Sequence, residues 1–167
     1  MSTLTQPLRD EHKELYPHIV GIRQAAELIG TATVGETRQA AEETLVFLTR
    51  HLLPHAEAEE AALYPVVQKA LGSPDATRTM SRDHVEIGRY TGELASLLNE
   101  RPVDTLTPDQ AQSLQRVLYG LHALVSLHFA KEEEVYLPIL DQKLSVEDAR
   151  ELFENLEAAA HKAKAAV

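Results

Sequence analysis

His128-Phe129-Ala130-Lys131-Glu132-Glu133-Glu134-Val135-Tyr136-Leu137-Pro138 carries a His and a Glu four residues apart, and a Pro ten residues after the His. On an α-helix, positions four apart stack on one face, about 6 Å from each other along the axis. His128 and Glu132 can therefore reach one object. The same pattern stands earlier, in His55-Ala56-Glu57-Ala58-Glu59-Glu60-Ala61-Ala62-Leu63-Tyr64-Pro65, again with Pro ten after the His.

Outward from both stretches, apolar residues recur at steps of four and three, the seam of a bundle helix. One seam runs Leu114, Leu118, Leu121, Val125, His128, Glu132, Val135, Ile139; another runs Ala41, Leu45, Leu48, Leu52, His55, Glu59, Ala62, Val66. Two more seams each hold one histidine. They are Leu8, His12, Leu15, Ile19, Ile22, Ala26, Ile29 and Met80, His84, Ile87, Thr91, Leu94, Leu98.

Turn chemistry separates the four. Thr5 with Pro7 reads as the cap of the first helix, and Gly30 and Gly72 end the first two. Thr33 to Glu36 turns into the second helix. Ser73-Pro74-Asp75 reads as a capped start of the third, and Arg101-Pro102 as its end. Thr107 with Gln110 is a capping box for the fourth. Pro54, just before His55, predicts a bend or a break in the second helix, because a mid-helix Pro removes a backbone bond.

No segment alternates with period two over a useful length, so strands are not expected. The fold class is all-α: an up-down-up-down four-helix bundle with an additional short C-terminal helix at about 146–165, led by Ser145 and carrying Leu152, Phe153 and Leu156 on one side. The length predicts a single domain over 1–167. It divides into pseudo-repeat halves at about 8–71 and 79–141, since His12 to His84 is 72 residues and both His55 to His128 and Pro65 to Pro138 are 73.

Composition narrows the function. A net charge of −10 argues against a nucleic-acid or anionic-membrane partner. The absence of cysteine removes disulfides, thiolate metal sites and a cysteine nucleophile. The N-terminal residues carry no signal-peptide pattern and no stretch is apolar enough to span a membrane, so a cytoplasmic location is expected.

The seams place His12, His55, Glu59, His84, His128 and Glu132 inside the bundle. Each polar group buried without a partner costs several kcal/mol, of order 2–7 for an uncharged group. Six can satisfy one another in two ways. Either they bind a pair of metal ions, with Glu bridging and His at the ends, or they form a metal-free hydrogen-bond network. Imidazole and carboxylate suit iron, zinc, copper or nickel. His51, His18 and His122 lie beside seam positions and His161 lies near the C-terminus, so none is expected to bind metal. Tyr16, four after His12, could face the same cavity, and Tyr64, Tyr90, Tyr119 and Tyr136 are either site residues or packing aromatics. Asp10, Glu11, Glu57, Glu60, Asp83, Glu86, Glu133 and Glu134 read mostly as a solvated face, with one or two orienting a histidine.

The order His12, His55-x-x-x-Glu59, His84, His128-x-x-x-Glu132, with Asp10-Glu11-His12, Asp83-His84, Tyr64-Pro65 and Pro138, resembles the hemerythrin-like (HHE cation-binding) domain family over roughly residues 8 to 140. The resemblance implies a non-haem centre of two iron ions, oxo- or hydroxo-bridged, that meets dioxygen, peroxide or nitric oxide. Glu59 and Glu132 would be the bridges, and His12, His55, His84 and His128 the terminal ligands. Oxygen-carrying hemerythrins use five histidines, with a His-x-x-x-His pair on the third helix. Here Thr79, Met80, Ile87 and Gly88 flank His84, so that pair is absent. An open coordination position favours reactivity over oxygen storage, and leaves a peroxide-dismutating (catalase-like) enzyme, a binder or a sensor. Two other classes stay open: an iron donor in nitrosative-stress repair, and a metal-free helical interaction module. Oligomeric state is not legible.

Overall fold

The computed structural model describes residues 3–99 and 106–165, and among them every regular element is helical. We number five helices. α1 is Gln6–Leu28, α2 spans 34–71, α3 is Arg78–Asn99, α4 spans 108–143 and α5 is Val146–Ala165. Helix α1 packs on α2 and α4, and α3 packs on the same two, so α1 to α4 form an antiparallel bundle. Helix α5 lies against α2 between residues 53 and 63.

Local signals explain most of the ends. Thr33 accepts from the Glu36 backbone N–H while Glu36 accepts from that of Thr33, and Thr107 and Gln110 do the same. Gly30 and Gly72 take left-handed φ values of 82° and 68°, where a Cβ is disfavoured. Ser145 and Asp148 cap α5 reciprocally. Two starts differ from expectation. The Thr5 hydroxyl caps nothing; its backbone N–H instead donates to Asp141 Oδ1 at 2.8 Å, tying the chain start to α4. Ser73 to Thr77 forms successive turns, with Ala76 N–H on Ser73 and Arg78 N–H on Asp75, so α3 begins at Arg78 rather than at Pro74. The expected end at Arg101-Pro102 lies outside the described residues.

The second helix neither breaks nor ends at Pro54. It widens into a π turn at Leu48–Leu52, where Leu53 N–H reaches back five residues to Leu48. Widening shifts the carbonyl that the proline ring would strike and accommodates the N–H that proline lacks. The same device precedes Pro65, at Glu59–Leu63, and Pro138, at Glu132–Tyr136. One consequence corrects the expected seams. A π turn inserts one residue, so the buried stripe moves on by one: Val67 and Leu140 are fully buried, while Val66 and Ile139 are only partly so and Val135 is exposed.

Two apolar clusters fill the bundle. One holds Leu15, Leu52, Ile87 and Val125; the other holds Leu8, Leu63, Met80 and Leu137. On each of α1 to α4, the polar seam residues fall in sequence between a member of one cluster and a member of the other. The polar layer is thus sealed by hydrocarbon at both ends.

Candidate metal centre

Each helix delivers its polar residue to this layer for a local reason. His55 and Glu59 share a helical face, as do His128 and Glu132, through the four-residue spacing. The structure brings all six predicted residues together. Glu59 and Glu132 have no solvent exposure, and His12, His55 and His128 are buried; His84 is slightly more open.

Glu59 reaches both sides of the layer. Its Oε1 lies 3.1 Å from His55 Nε2 and 3.9 Å from His12 Nε2, and its Oε2 lies 3.3 Å from His84 Nε2 and 3.9 Å from His128 Nε2. Glu132 does likewise, with Oε2 at 3.5 Å from His12 Nε2 and Oε1 at 3.4 Å from His128 Nε2. Two sets of donors result: His12, His55, Glu59 and Glu132, and Glu59, His84 and His128, each with its donor atoms within 4.8 Å of one another.

The outer ring nitrogens are all held. His12 Nδ1 meets Glu133 Oε1 at 2.7 Å, and His84 Nδ1 meets Glu60 Oε1 at 2.9 Å. His55 Nδ1 meets Glu11 Oε1, and His128 Nδ1 meets Asp83 Oδ2, both at 3.2 Å. A carboxylate only accepts, so each Nδ1 carries a proton and donates it. Every neutral imidazole is thereby fixed as the tautomer whose Nε2 lone pair points inward. With neutral rings, four Nε2 atoms and two carboxylates face one another, His84 Nε2 lying 3.0 Å from His128 Nε2. His12 Nε2, His55 Nε2, both oxygens of Glu59 and Glu132 Oε2 are buried without a hydrogen-bond partner. Such a set is costly unless cations enter it. The donors therefore fit a metal.

Electrostatics agree. Burial alone lowers the His55 pKa, but the charge of Glu59 and hydrogen bonds to Glu11 and Glu59 hold it well above the ordinary imidazole value. His128 is pushed up to about 10, hydrogen bonds to Glu132 and Glu59 outweighing burial. The Glu59 carboxyl sits well below the usual range: burial opposes ionisation, but the charge of His55 and the close imidazoles of His12, His128 and His55 prevail. Protons compete for the place that a metal would take.

A family model, the hemerythrin HHE cation binding domain, matches residues 3–140. The chain belongs to that family. No curated protein matches the chain, and no solved structure does. Within this HHE domain, the buried His/Glu clusters, drawn from both pseudo-repeat halves, are consistent with a metal centre.

The outer carboxylates follow the repeat too. Glu11 and Asp83 each precede the lone histidine of their half and hold the other histidine of that half. Glu60 and Glu133 each follow a buried Glu and hold the lone histidine of the opposite half. Four carboxylates orient histidines, where one or two were expected. The acid-His pairs at Glu11-His12 and Asp83-His84, and the Glu-Glu pairs at Glu59-Glu60 and Glu132-Glu133, were the available signal.

Tyr64 is a residue beside the polar layer that the sequence leaves undecided. Its hydroxyl donates to Glu132 Oε1 at 3.1 Å and lies 3.3 Å from His84 Nε2, its ring stacked on that of His84. The π turn at Glu59–Leu63 brings it inside; a regular helix does not. Burial, then the charges of Glu59 and Glu132, push its pKa upward, so it stays a protonated phenol in the metal-free site. Tyr16 is 61% exposed and does not face the cavity. The Tyr136 hydroxyl donates to Ala76 O. His18 stacks on Phe47 and parallel to His51, away from the centre.

Proposed function

We propose that the chain holds two iron ions and binds or reacts with a small oxygen or nitrogen species, namely dioxygen, peroxide or nitric oxide. His12 and His55 would hold one ion, His84 and His128 the other, and Glu59 and Glu132 would bridge them. The observation that carries this reading is the inward-facing set of buried Nε2 and carboxylate atoms without hydrogen-bond donors. Imidazole and carboxylate admit several transition metals; the family resemblance favours iron. Bound iron supplies Lewis acidity and electron transfer toward such small ligands.

The chain's own residues do the rest. The four outer carboxylates keep the imidazoles in one tautomer and one orientation. Phe129, with its ring 4.5 Å from that of His12, closes the His12–His55 side with hydrocarbon. Tyr64 places a hydroxyl beside His84 and Glu132; its one proton goes to Glu132 Oε1 in the metal-free site and would be free for a small ligand on the His84–His128 side once Glu132 is bound to metal. No helix among the described residues is long and apolar enough to cross a membrane.

Adding hydrogen peroxide to iron-loaded protein and following oxygen evolution separates an enzyme from a binder or sensor. Turnover above that of free iron supports the enzyme; its absence, with an azide- or nitric-oxide-induced optical change retained, supports the binder. Release of iron to a chelator within minutes is the result expected of an iron donor instead.

A further inference from the structure

Arg9 stands three residues before His12 on α1 and belongs to neither donor set. We propose that Arg9 is a positioning residue for the metal centre: it fixes the Glu133 carboxylate in the place from which that carboxylate holds His12. The proposal rests on the metal-binding part of the reading above, and not on the identity of the metal or of the small ligand.

Glu133 divides its two oxygens between two partners. Oε1 meets His12 Nδ1 at 2.7 Å, and Oε2 meets Arg9 Nη1 at 2.5 Å. The same Nη1 reaches the Glu133 backbone carbonyl at 3.4 Å. That carbonyl lies inside the π turn at Glu132–Tyr136. Leu137 N–H reaches back to Glu132, and Pro138 has no N–H, so the Glu133 carbonyl has no helical donor to itself. Arg9 supplies one. Its other arm, Nη2, pairs with Asp141 Oδ2 at 3.2 Å, and Asp141 Oδ1 takes the Thr5 backbone N–H at 2.8 Å. A guanidinium carries its donors in a fixed planar fork, so these bonds set its orientation together. One side chain thus ties the start of α1, the π turn of α4 and the carboxylate behind His12 into one frame.

The frame matters because Glu133 is not held by burial. Its side chain is 32% exposed, so water competes for both oxygens. A Glu133 that turned outward would leave the His12 Nδ1 proton to water and release the ring from its one orientation. The other half shows the contrast. There the equivalent Ser81 gives Glu60 Oε2 a neutral hydroxyl at 2.9 Å. A charge-assisted bond is roughly twice as strong as a neutral one. Arg9 therefore holds Glu133, and through it His12, more firmly than Ser81 holds Glu60 and His84.

The test is titration of metal-free, full-length protein with cobalt(II), followed by visible absorption and by proton NMR of the loaded form. Cobalt accepts the same nitrogen and oxygen ligands, and it shifts the N–H protons of its imidazole ligands clear of other signals. Four such exchangeable signals are expected, one for each inner histidine. Arg9→Gln should weaken one of the two bound ions by about ten-fold or more and broaden one N–H signal through faster exchange with water, leaving the other three sharp. Glu133→Gln should affect the same signal, and Ser81→Ala should cost less affinity than Arg9→Gln. Arg9→Lys keeps the charge without the fork and should fall between the unmodified protein and Arg9→Gln. Circular dichroism checks that each variant folds. A folded Arg9→Gln variant with unchanged affinity and four sharp signals would overturn the proposal, as would equal broadening of all four, the mark of a general loosening. If Arg9→Gln does not fold, Arg9→Lys binding both ions as tightly as the unmodified protein overturns it equally. Unmodified protein that binds no cobalt would instead overturn the metal site on which the proposal rests.

Discussion

The two sides of the centre are built from equivalent positions yet do not present the same surface. His12 and His55 on one side correspond to His84 and His128 on the other, and Glu59 corresponds to Glu132. The position of Tyr64, however, is taken in the second half by Leu137, and that of Phe129 in the first half by Ala56. Phe129 therefore walls one side with hydrocarbon, while Tyr64 brings a hydroxyl to the other. The outer ring differs as well. Arg9 backs Glu133 at 2.5 Å, whereas the equivalent Ser81 backs Glu60 at 2.9 Å. Lys131 pairs with Asp83, and its counterpart is Ala58. The repeated spacing brings the six inner groups together; the departures from it make the two sides differ.

The largest expected effect comes from removing what the two sides share. Glu59→Ala takes away the carboxylate that both donor sets share, and Glu132→Ala one whose two oxygens face His12 and His128, so in each variant metal content and visible absorption should fall together. Loss of only one ion would show that the carboxylate serves one side.

Next comes the outer ring. Removing such a supporting group typically costs 10–100-fold in metal affinity. Glu133→Gln should cost more than Glu60→Gln, because it also removes an ion pair with Arg9, leaving that guanidinium with Asp141 as its one ion-pair partner, whereas Glu60 is backed only by the neutral Ser81. Equal losses in competition with a chelator would mean that the cation backing does not matter.

How far could this comparison be read from the sequence? The seams ahead of the π turns, the turn into α2 at Thr33, the capping box at Thr107 and the burial of the six inner groups are legible, because burial periodicity and capping are local properties. The family match over 3–140 supports that reading. Tyr64 was not resolved, nor was the one-residue shift that buries Val67 and Leu140. Both follow from π turns, which arise where Pro65 and Pro138 meet a helix held straight by its neighbours. A Pro in sequence announces a disturbed helix; whether it bends, breaks or widens is decided by packing. The outer carboxylates were hidden differently. Acidic residues on a solvated face look alike until opposite helices are placed, and two of the four act across the halves.

A pH effect should separate the loaded and metal-free states. The His128 pKa in the fold is about 10 against an ordinary 6.5. Its charged form therefore stabilises the metal-free protein fully below about pH 6.5, and that contribution is lost as pH rises through about 10. His55 is raised too and acts in the same sense. Thermal unfolding of the metal-free protein should show the midpoint falling over this interval, with a flatter profile for the loaded protein. Parallel profiles would contradict the view that metal replaces those protons.

Tyr64→Phe should keep both ions and alter the azide-bound optical spectrum. It removes one hydrogen bond to a carboxylate, so its stability cost is modest, about 1.5–3 kcal/mol. Leu137→Tyr would sharpen the point by offering a hydroxyl to the opposite side. His51→Ala, outside the centre, should leave metal content unchanged.

The most direct test is elemental analysis of the purified, unmodified protein after growth with iron, read beside its visible spectrum. The arrangement of two donor sets sharing Glu59 predicts about two iron ions per chain. Folded protein that carries no transition metal and gains none on incubation with ferrous iron would contradict it.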